Sequence, residues 1–94
     1  MSKDKTAEFI FNFPVVKYAN RNTFAEQMQH LISEIAEVAT APGVPETAVE
    51  LLDVIHSAET ALRILVSSSG VPIDLDDLRD HVIAKNRARD YYYQ

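Results

Sequence analysis

Four acidic residues fall at matching spacings in the middle of the chain. Glu34 and Glu37 are three residues apart, and Glu50 and Asp53 repeat this spacing after an interval of twelve residues. At 100° per residue, each pair occupies one face of a helix, about 60° apart around its axis. If the two segments fold back on each other as antiparallel helices, both pairs meet in the seam between them.

Four carboxylates in one seam repel one another unless something compensates the charge. At about 6 Å and an effective dielectric of about 20, each like-charged pair costs roughly 2–3 kcal/mol. Either some of the acids take up protons, or a divalent cation lies among them. Oxygen ligands in a chain without cysteine favour Mg²⁺, with Mn²⁺ as an alternative, over zinc. Acidic pairs of this kind also line solvated helix faces, so that interpretation stays open.

The elements that must position these acids are predicted to be helices. Thr23 and Glu26 form a capping-box pattern, and apolar residues at helical spacing then continue to about Val38. A second helix is expected over about residues 46–66, and a third with Asp74 as its N-cap. With only two glycines, the fold class is predicted to be all-α, an antiparallel helical bundle completed by oligomerisation.

Two details of these segments also lead to expectations. Glu59 and Arg63 are expected to form an i,i+4 ion pair on the outer side of the second helix. Residues 1–22 are predicted to be an N-terminal arm, and residues 23–94 the helical domain. The arm contains an apolar stretch that is either a short strand or an extended segment covering a neighbour's hydrophobic surface, and Pro14 argues against a central strand.

Length and charge exclude several classes of function. A chain of 94 residues is one small domain that is marginal as a lone monomer, so an oligomer is expected. The net charge of −5 argues against a binder of nucleic acid polymers. No apolar run approaches the ~20 residues that span a bilayer, and no signal peptide is evident. We therefore expect a cytoplasmic protein without membrane contact.

The basic residues cluster near the C-terminus. Three of the nine cationic residues lie between Lys85 and Arg89, which suggests a phosphate-facing surface. The alternative is an ordinary cationic helix end that is favourable to the helix dipole. The three residues Tyr91–Tyr93 either stack on a nucleobase or pack on a neighbouring subunit, which is the interpretation we favour.

Together these motifs resemble those of a known family. The Glu34–Glu37 and Glu50–Asp53 segments look like the EExxE…ExxD signature of the MazG-like, all-α nucleoside triphosphate pyrophosphohydrolases. The Lys85–Tyr92 segment is similar to the K-N-x-x-R-G-Y-Y ending of short, single-domain members, and the likeness covers about residues 23–92. The chain departs from the pattern twice: Ser33 replaces the first glutamate of EExxE, and Asp90 replaces the glycine of the tail.

The resemblance implies both an assembly, a homodimer or homotetramer, and a function. Members hydrolyse a nucleoside triphosphate between its α- and β-phosphates and release a monophosphate and pyrophosphate. Glu37 is the candidate general base among the acids. The implied substrate contacts are Lys85, Asn86 and Arg89. The implied Mg²⁺ ligands are Glu34, Glu37, Glu50 and Asp53.

Two further side chains share the acidic face of the first helix. His30 is a candidate to orient a phosphate or a water, although a partly exposed histidine without a role is the alternative. Gln27 is a candidate contact to the base or to a metal ligand, whereas His56 is expected to be structural. Two other functions stay open: a phosphoribosyl-ATP pyrophosphatase-like enzyme, and a helical interaction module that retains the fold without catalysis, which the serine at position 33 would allow.

Overall fold

The described part of the chain is helical. The computed structural model describes residues 13–93, without the side chains of Tyr18 and Asn20. After a 3-10 turn at Lys17–Asn20 come three helices: α1 (Phe24–Thr40), α2 (Val44–Ser69) and α3 (Leu75–Ala88). The described residues contain no strand, so the all-α prediction is confirmed for them. Most of the predicted arm, residues 1–12, lies outside the described residues.

Helix α1 begins at the predicted capping box. The Glu26 backbone N–H donates to Thr23 Oγ1 at 3.0 Å. The Thr23 backbone N–H donates to Glu26 Oε1 at 2.8 Å. Both bonds satisfy N–H groups that have no partner inside the helix. The helix ends before Ala41, whose extended backbone suits a residue that precedes proline.

Helix α2 is longer at both ends than the predicted 46–66. Pro45 lies in its first turn, where its missing N–H costs no hydrogen bond and its fixed φ suits a helix. The helix continues through Ser69, where Gly70 takes the left-handed conformation with φ 71°. Ser68 Oγ donates to the Ile64 carbonyl oxygen at 2.7 Å. Ser67–Ser69 thus form the last turn of the helix.

Helix α3 is capped as predicted by Asp74. Its Oδ1 accepts from the N–H groups of Asp76 and Asp77 at 3.0 and 3.2 Å. Within the described residues, α3 packs against no other helix. Its apolar side chains Leu78 and Val82 are 50% and 45% exposed.

Helices α1 and α2 form an antiparallel pair. Gln27 bonds to Ser57, and Glu34 lies beside Glu50. Seven residues forward in α1 therefore correspond to seven residues back in α2. The short connection after Thr40 enforces this reversal and brings both acidic pairs into one seam, as the spacing predicted.

The core of the single chain is small and largely polar. Ile64, at 3% exposure, is the only large aliphatic side chain buried among the described residues. Ile35 on α1 and Leu51 on α2 are 52% and 49% exposed. The Cα radius of gyration is 15.2 Å, compared with about 12 Å for a compact domain of this length. None of the described helices has the length and apolar character needed to cross a membrane.

The start of the described chain is held against α2. The Phe13 N–H donates to Glu59 Oε1 at 2.9 Å, and Arg63 Nη2 donates to the Phe13 carbonyl at 3.2 Å. The Phe13 ring stacks on His56 at a centroid distance of 4.5 Å. The predicted position of Glu59 on the outer side of the helix is therefore wrong, because Glu59 is only 2% exposed and both Glu59 and Arg63 bind the arm. A buried carboxylate needs such donors.

Candidate metal site

Three of the four predicted ligands come together between α1 and α2. The carboxylates of Glu34, Glu50 and Asp53 each place an oxygen within 4.8 Å of the others. Glu34 comes from α1, and the other two lie one turn apart on α2. Glu34 and Glu50 are half-buried, whereas Asp53 is exposed. The cluster thus opens to solvent on the Asp53 side.

Glu50 is the residue most affected by the cluster. Its Oε1 atom is buried and has no hydrogen-bond partner among the described residues. Burial raises the pKa of Glu50 above its ordinary value of 4.5. The charges of Glu37 and Asp53, a hydrogen bond with the Glu37 carboxyl and the charge of Glu34 raise this pKa further. Without a cation, the site therefore makes the ionised form of Glu50 more costly than that of a carboxyl in water.

Glu37 lies at the edge of the cluster. It is exposed, and it is outside the set of carboxylates whose oxygens are all mutually close. Its hydrogen bond and charge nevertheless act on Glu50. This position leaves Glu37 beside the cluster and accessible to water.

His30 and Gln27 lie on the same face of α1 as Glu34, but their surroundings differ. His30 Nε2 lies 3.2 Å from Glu34 Oε1, so the ring orients one carboxylate of the cluster. Gln27 is fully buried, and its Nε2 donates to the Ser57 hydroxyl and carbonyl at 2.9 and 3.0 Å. Its Oε1 has no partner among the described residues. In the single chain, Gln27 therefore joins the two helices and has no surface to offer a ligand.

Ser33 faces solvent next to the cluster. The side chain is exposed, and its hydroxyl donates to the His30 carbonyl oxygen in the preceding turn at 2.6 Å. A serine engaged with its own helix supplies no charge to the seam. The site thus has the carboxylates for one cation and lacks the additional acid of the EExxE pattern.

The donor set fits a Mg²⁺ ion. At metal–oxygen distances of about 2.0–2.1 Å, neighbouring ligands in an octahedron lie about 3 Å apart and opposite ones about 4.2 Å. The carboxylate oxygens, within 4.8 Å of one another, have separations close to these values. The unpartnered Oε1 of Glu50 is an oxygen for which a cation would supply the missing partner.

The predicted substrate residues at the end of α3 are not held against this cluster. Lys85 and Arg89 are exposed, and Asn86 is half-buried. Because α3 packs against neither α1 nor α2 in the described part of the chain, no packing contact within one chain positions these side chains at the carboxylates. The structure therefore joins the two acidic pairs but leaves the basic segment separate.

Two features of the site were missed by the sequence analysis. Ser57, which anchors Gln27, lies seven residues after Glu50, just as Gln27 lies seven before Glu34. In an antiparallel pair, this matching offset predicts that Gln27 and Ser57 face each other. Arg87 was not singled out, although its guanidinium lies 6.0 Å from the ring centre of Tyr92. A turn after the helix causes this contact, and helical periodicity does not predict it.

No protein-family model matches the chain, and comparisons with curated proteins and with solved structures return no similar protein. The resemblance to the MazG-like enzymes is therefore carried by the motif residues alone.

Proposed function

We propose that this protein is a Mg²⁺-dependent hydrolase that cleaves a nucleoside triphosphate between its α- and β-phosphates. Two observations carry the proposal: carboxylate oxygens of Glu34, Glu50 and Asp53 lie within 4.8 Å of one another, and a buried oxygen of Glu50 has no partner among the described residues. An arrangement of this kind is costly without a cation and favourable with one. It supports the metal site on which the reaction depends.

The side chains around the cluster supply the remaining steps. A bound Mg²⁺ would neutralise phosphate charge and lower the pKa of a water molecule. Glu37, exposed beside Glu50, accepts the proton of the attacking water as general base. His30 keeps the Glu34 carboxylate oriented through its 3.2 Å contact. Lys85 and Arg89 stabilise the negative charge that develops on the pyrophosphate leaving group.

We further propose that the active form is a homodimer or homotetramer in which a second copy brings the basic segment to the cluster. In one chain, α3 packs against no other described helix. The apolar side chains that a partner would cover are exposed: Ile32, Ile35, Leu51, Leu52, Leu65, Leu78 and Val82. Burying these side chains in an interface would remove their apolar area from water.

The same exposed surface favours a second candidate function, a non-catalytic helical interaction module. Ser33 is compatible with it, because this position contributes no carboxylate. The two candidates differ in what the acidic seam does. In an enzyme the seam binds a cation and a phosphate chain, whereas in an interaction module it only lines an interface.

One experiment separates these candidates. The protein is incubated with Mg²⁺ and a panel of canonical and modified nucleoside triphosphates together with phosphoribosyl-ATP, and pyrophosphate and orthophosphate are assayed separately. We expect pyrophosphate release, and a loss of about 10²–10⁴-fold in kcat for Glu37→Gln. Asp53→Asn should lower the affinity for Mg²⁺. Asp80→Asn, an exposed acid on α3, is the matched control and should behave as wild type.

The melting temperature provides the second measurement. Mg²⁺ that binds only the folded protein raises Tm as its concentration exceeds Kd. Asp53→Asn should reduce this rise, and Asp80→Asn should not. Absence of turnover of every substrate together with an unchanged Tm in Mg²⁺ would overturn the enzymatic proposal and leave the interaction module.

A further inference from the structure

The chain folds back on itself immediately after α3 and places two tyrosines beside two arginines. The Arg89 guanidinium carbon lies 6.0 Å from the ring centre of Tyr91. Arg87 lies at the same distance from Tyr92. The Asn86 Nδ2 group donates to the Tyr92 hydroxyl at 3.5 Å, a long hydrogen bond. The first two tyrosines of the tail are therefore linked to the basic segment.

The turn that produces these contacts is well defined. The Tyr91 N–H donates to the Asn86 carbonyl and the Asp90 N–H to the Arg87 carbonyl, both at 3.0 Å. Asp90 is left-handed, with φ 61°. This is the pattern of a Schellman motif, in which the left-handed residue reverses the chain over the last helical turn. The backbone thus determines where the tyrosine rings lie.

We propose that Tyr91 and Tyr92 are positioning residues that hold Arg89 and Asn86 ready for the phosphate chain of a nucleotide. This inference rests on the proposed function, because it gives those two residues their ligand. An arginine side chain on an exposed helix end samples many rotamers, and binding has to restrict them. A guanidinium held over an aromatic face is restricted beforehand, while its N–H edges remain free for a bidentate contact to phosphate.

Matched substitutions can remove each of these contacts separately. Tyr91→Leu removes the ring beneath Arg89, whereas Tyr91→Phe keeps it. Tyr92→Phe removes only the hydroxyl that accepts from Asn86. Tyr93→Leu is the control, because Tyr93 is fully exposed and no contact to a basic residue is seen for it in the described part of the chain.

The readouts are Kd for inorganic pyrophosphate in Mg²⁺ by calorimetry, and KM and kcat for a triphosphate that the wild type hydrolyses. An exposed cation–π contact corresponds to about a 2- to 5-fold change in affinity. We expect Tyr91→Leu to raise Kd and KM by this factor and to lower kcat by no more than the same factor, and Tyr91→Phe to restore all three. Tyr92→Phe should give an increase of about 2-fold, and Tyr93→Leu none.

Four outcomes contradict the inference, and they can be distinguished from one another. If the wild type is active and Tyr91→Leu matches it, the positioning role is overturned and the proposed function stands. The same holds if Tyr91→Phe is as impaired as Tyr91→Leu, or if Tyr91→Leu changes the mass of the assembly, since the tyrosine then packs against a partner. If the wild type neither binds pyrophosphate nor hydrolyses any triphosphate, both proposals are wrong.

Discussion

At the scale of single residues, Glu50 decides the electrostatic behaviour of the seam. It is half-buried, it has a buried oxygen without a partner, and three other acids raise its pKa. The unfolded chain has no such surroundings, so there the carboxyl returns to its ordinary pKa of 4.5. The stability of the protein must therefore depend on pH through this group.

The first prediction concerns Glu50→Gln in the metal-free protein. A folded pKa above the unfolded value means that the folded state binds the proton more tightly. The contribution of Glu50 to stability is therefore fully present below pH 4.5 and is lost as the pH rises through the raised pKa. Glu50→Gln should raise Tm at pH 7 in the presence of EDTA and change it little at pH 4.

Adding Mg²⁺ tests the same residue in the presence of the cation. At pH 7 the cation should raise the Tm of wild type more than that of Glu50→Gln, because the amide is a weaker ligand for a hard cation. If Glu50→Gln is less stable than wild type at pH 7 without metal, the raised pKa of Glu50 in the folded protein is contradicted.

Asp90 leads to a second prediction at the residue scale. Its left-handed conformation costs a residue with a Cβ roughly 1 kcal/mol or more, which glycine avoids. Asp90→Gly should therefore increase, and Asp90→Val decrease, the protection of the Asp90 and Tyr91 amides that close the turn. Hydrogen exchange measures this directly, and equal protection in the two variants would show that the turn does not depend on this conformation.

At the scale of elements, the stability of the fold depends more on the contacts between segments than on the helices themselves. The arm is fastened to α2 by the stacking of Phe13 on His56 and by two hydrogen bonds of the Phe13 backbone. The hydrogen bonds use backbone atoms and survive substitution of the side chain. The ring contact does not, which makes it the part that mutagenesis can remove.

Phe13→Ala should destabilise the folded protein by about 1 kcal/mol, since stacked aromatic pairs contribute about 0.5–1.5 kcal/mol beyond their buried area. The measurement is the urea midpoint with an unchanged m-value. Val15→Ala, at a position that is 60% exposed, is the matched control and should have little effect. A Phe13→Ala midpoint equal to that of Val15→Ala would show that the stacking contributes nothing.

At the scale of the whole molecule, one chain leaves its apolar faces uncovered. The buried side chains in the seam are mostly polar, as Gln27, Ser57 and Thr60 show. Large aliphatic side chains lie on outer surfaces of all three helices. The free energy of burying them is available only in an assembly, at about 25 cal/mol per Å² of apolar area removed from water.

Sedimentation should therefore give a mass that is a multiple of the 10.6 kDa chain. Ile32→Lys and Leu78→Lys, at positions that are 62% and 50% exposed, should shift the equilibrium toward smaller species. Val15→Lys is the control for the added charge. A wild type that sediments as a monomer at micromolar concentration would rule out the proposed assembly.

The sequence by itself determined the helices and their local ends. The capping box at Thr23, the Asp74 cap and the left-handed Gly70 depend on hydrogen bonds and φ preferences within a few residues, which local patterns report. It also determined that Glu34 and Glu50 meet, because a short turn between two helices leaves one antiparallel register. The predicted end of α2 at Val66 was three residues early, because Ser67–Ser69 continue the helix as its last turn.

Only the tertiary structure decided which side chains are buried and what holds them. Glu59, expected on the outside, is buried because the arm returns across α2 and supplies its donor. Gln27 is buried because Ser57 faces it. Ile35, Leu51 and Leu65 stay exposed, because one chain provides too few surfaces to cover them. Such outcomes depend on contacts between residues far apart in the chain, whose energies no local pattern contains.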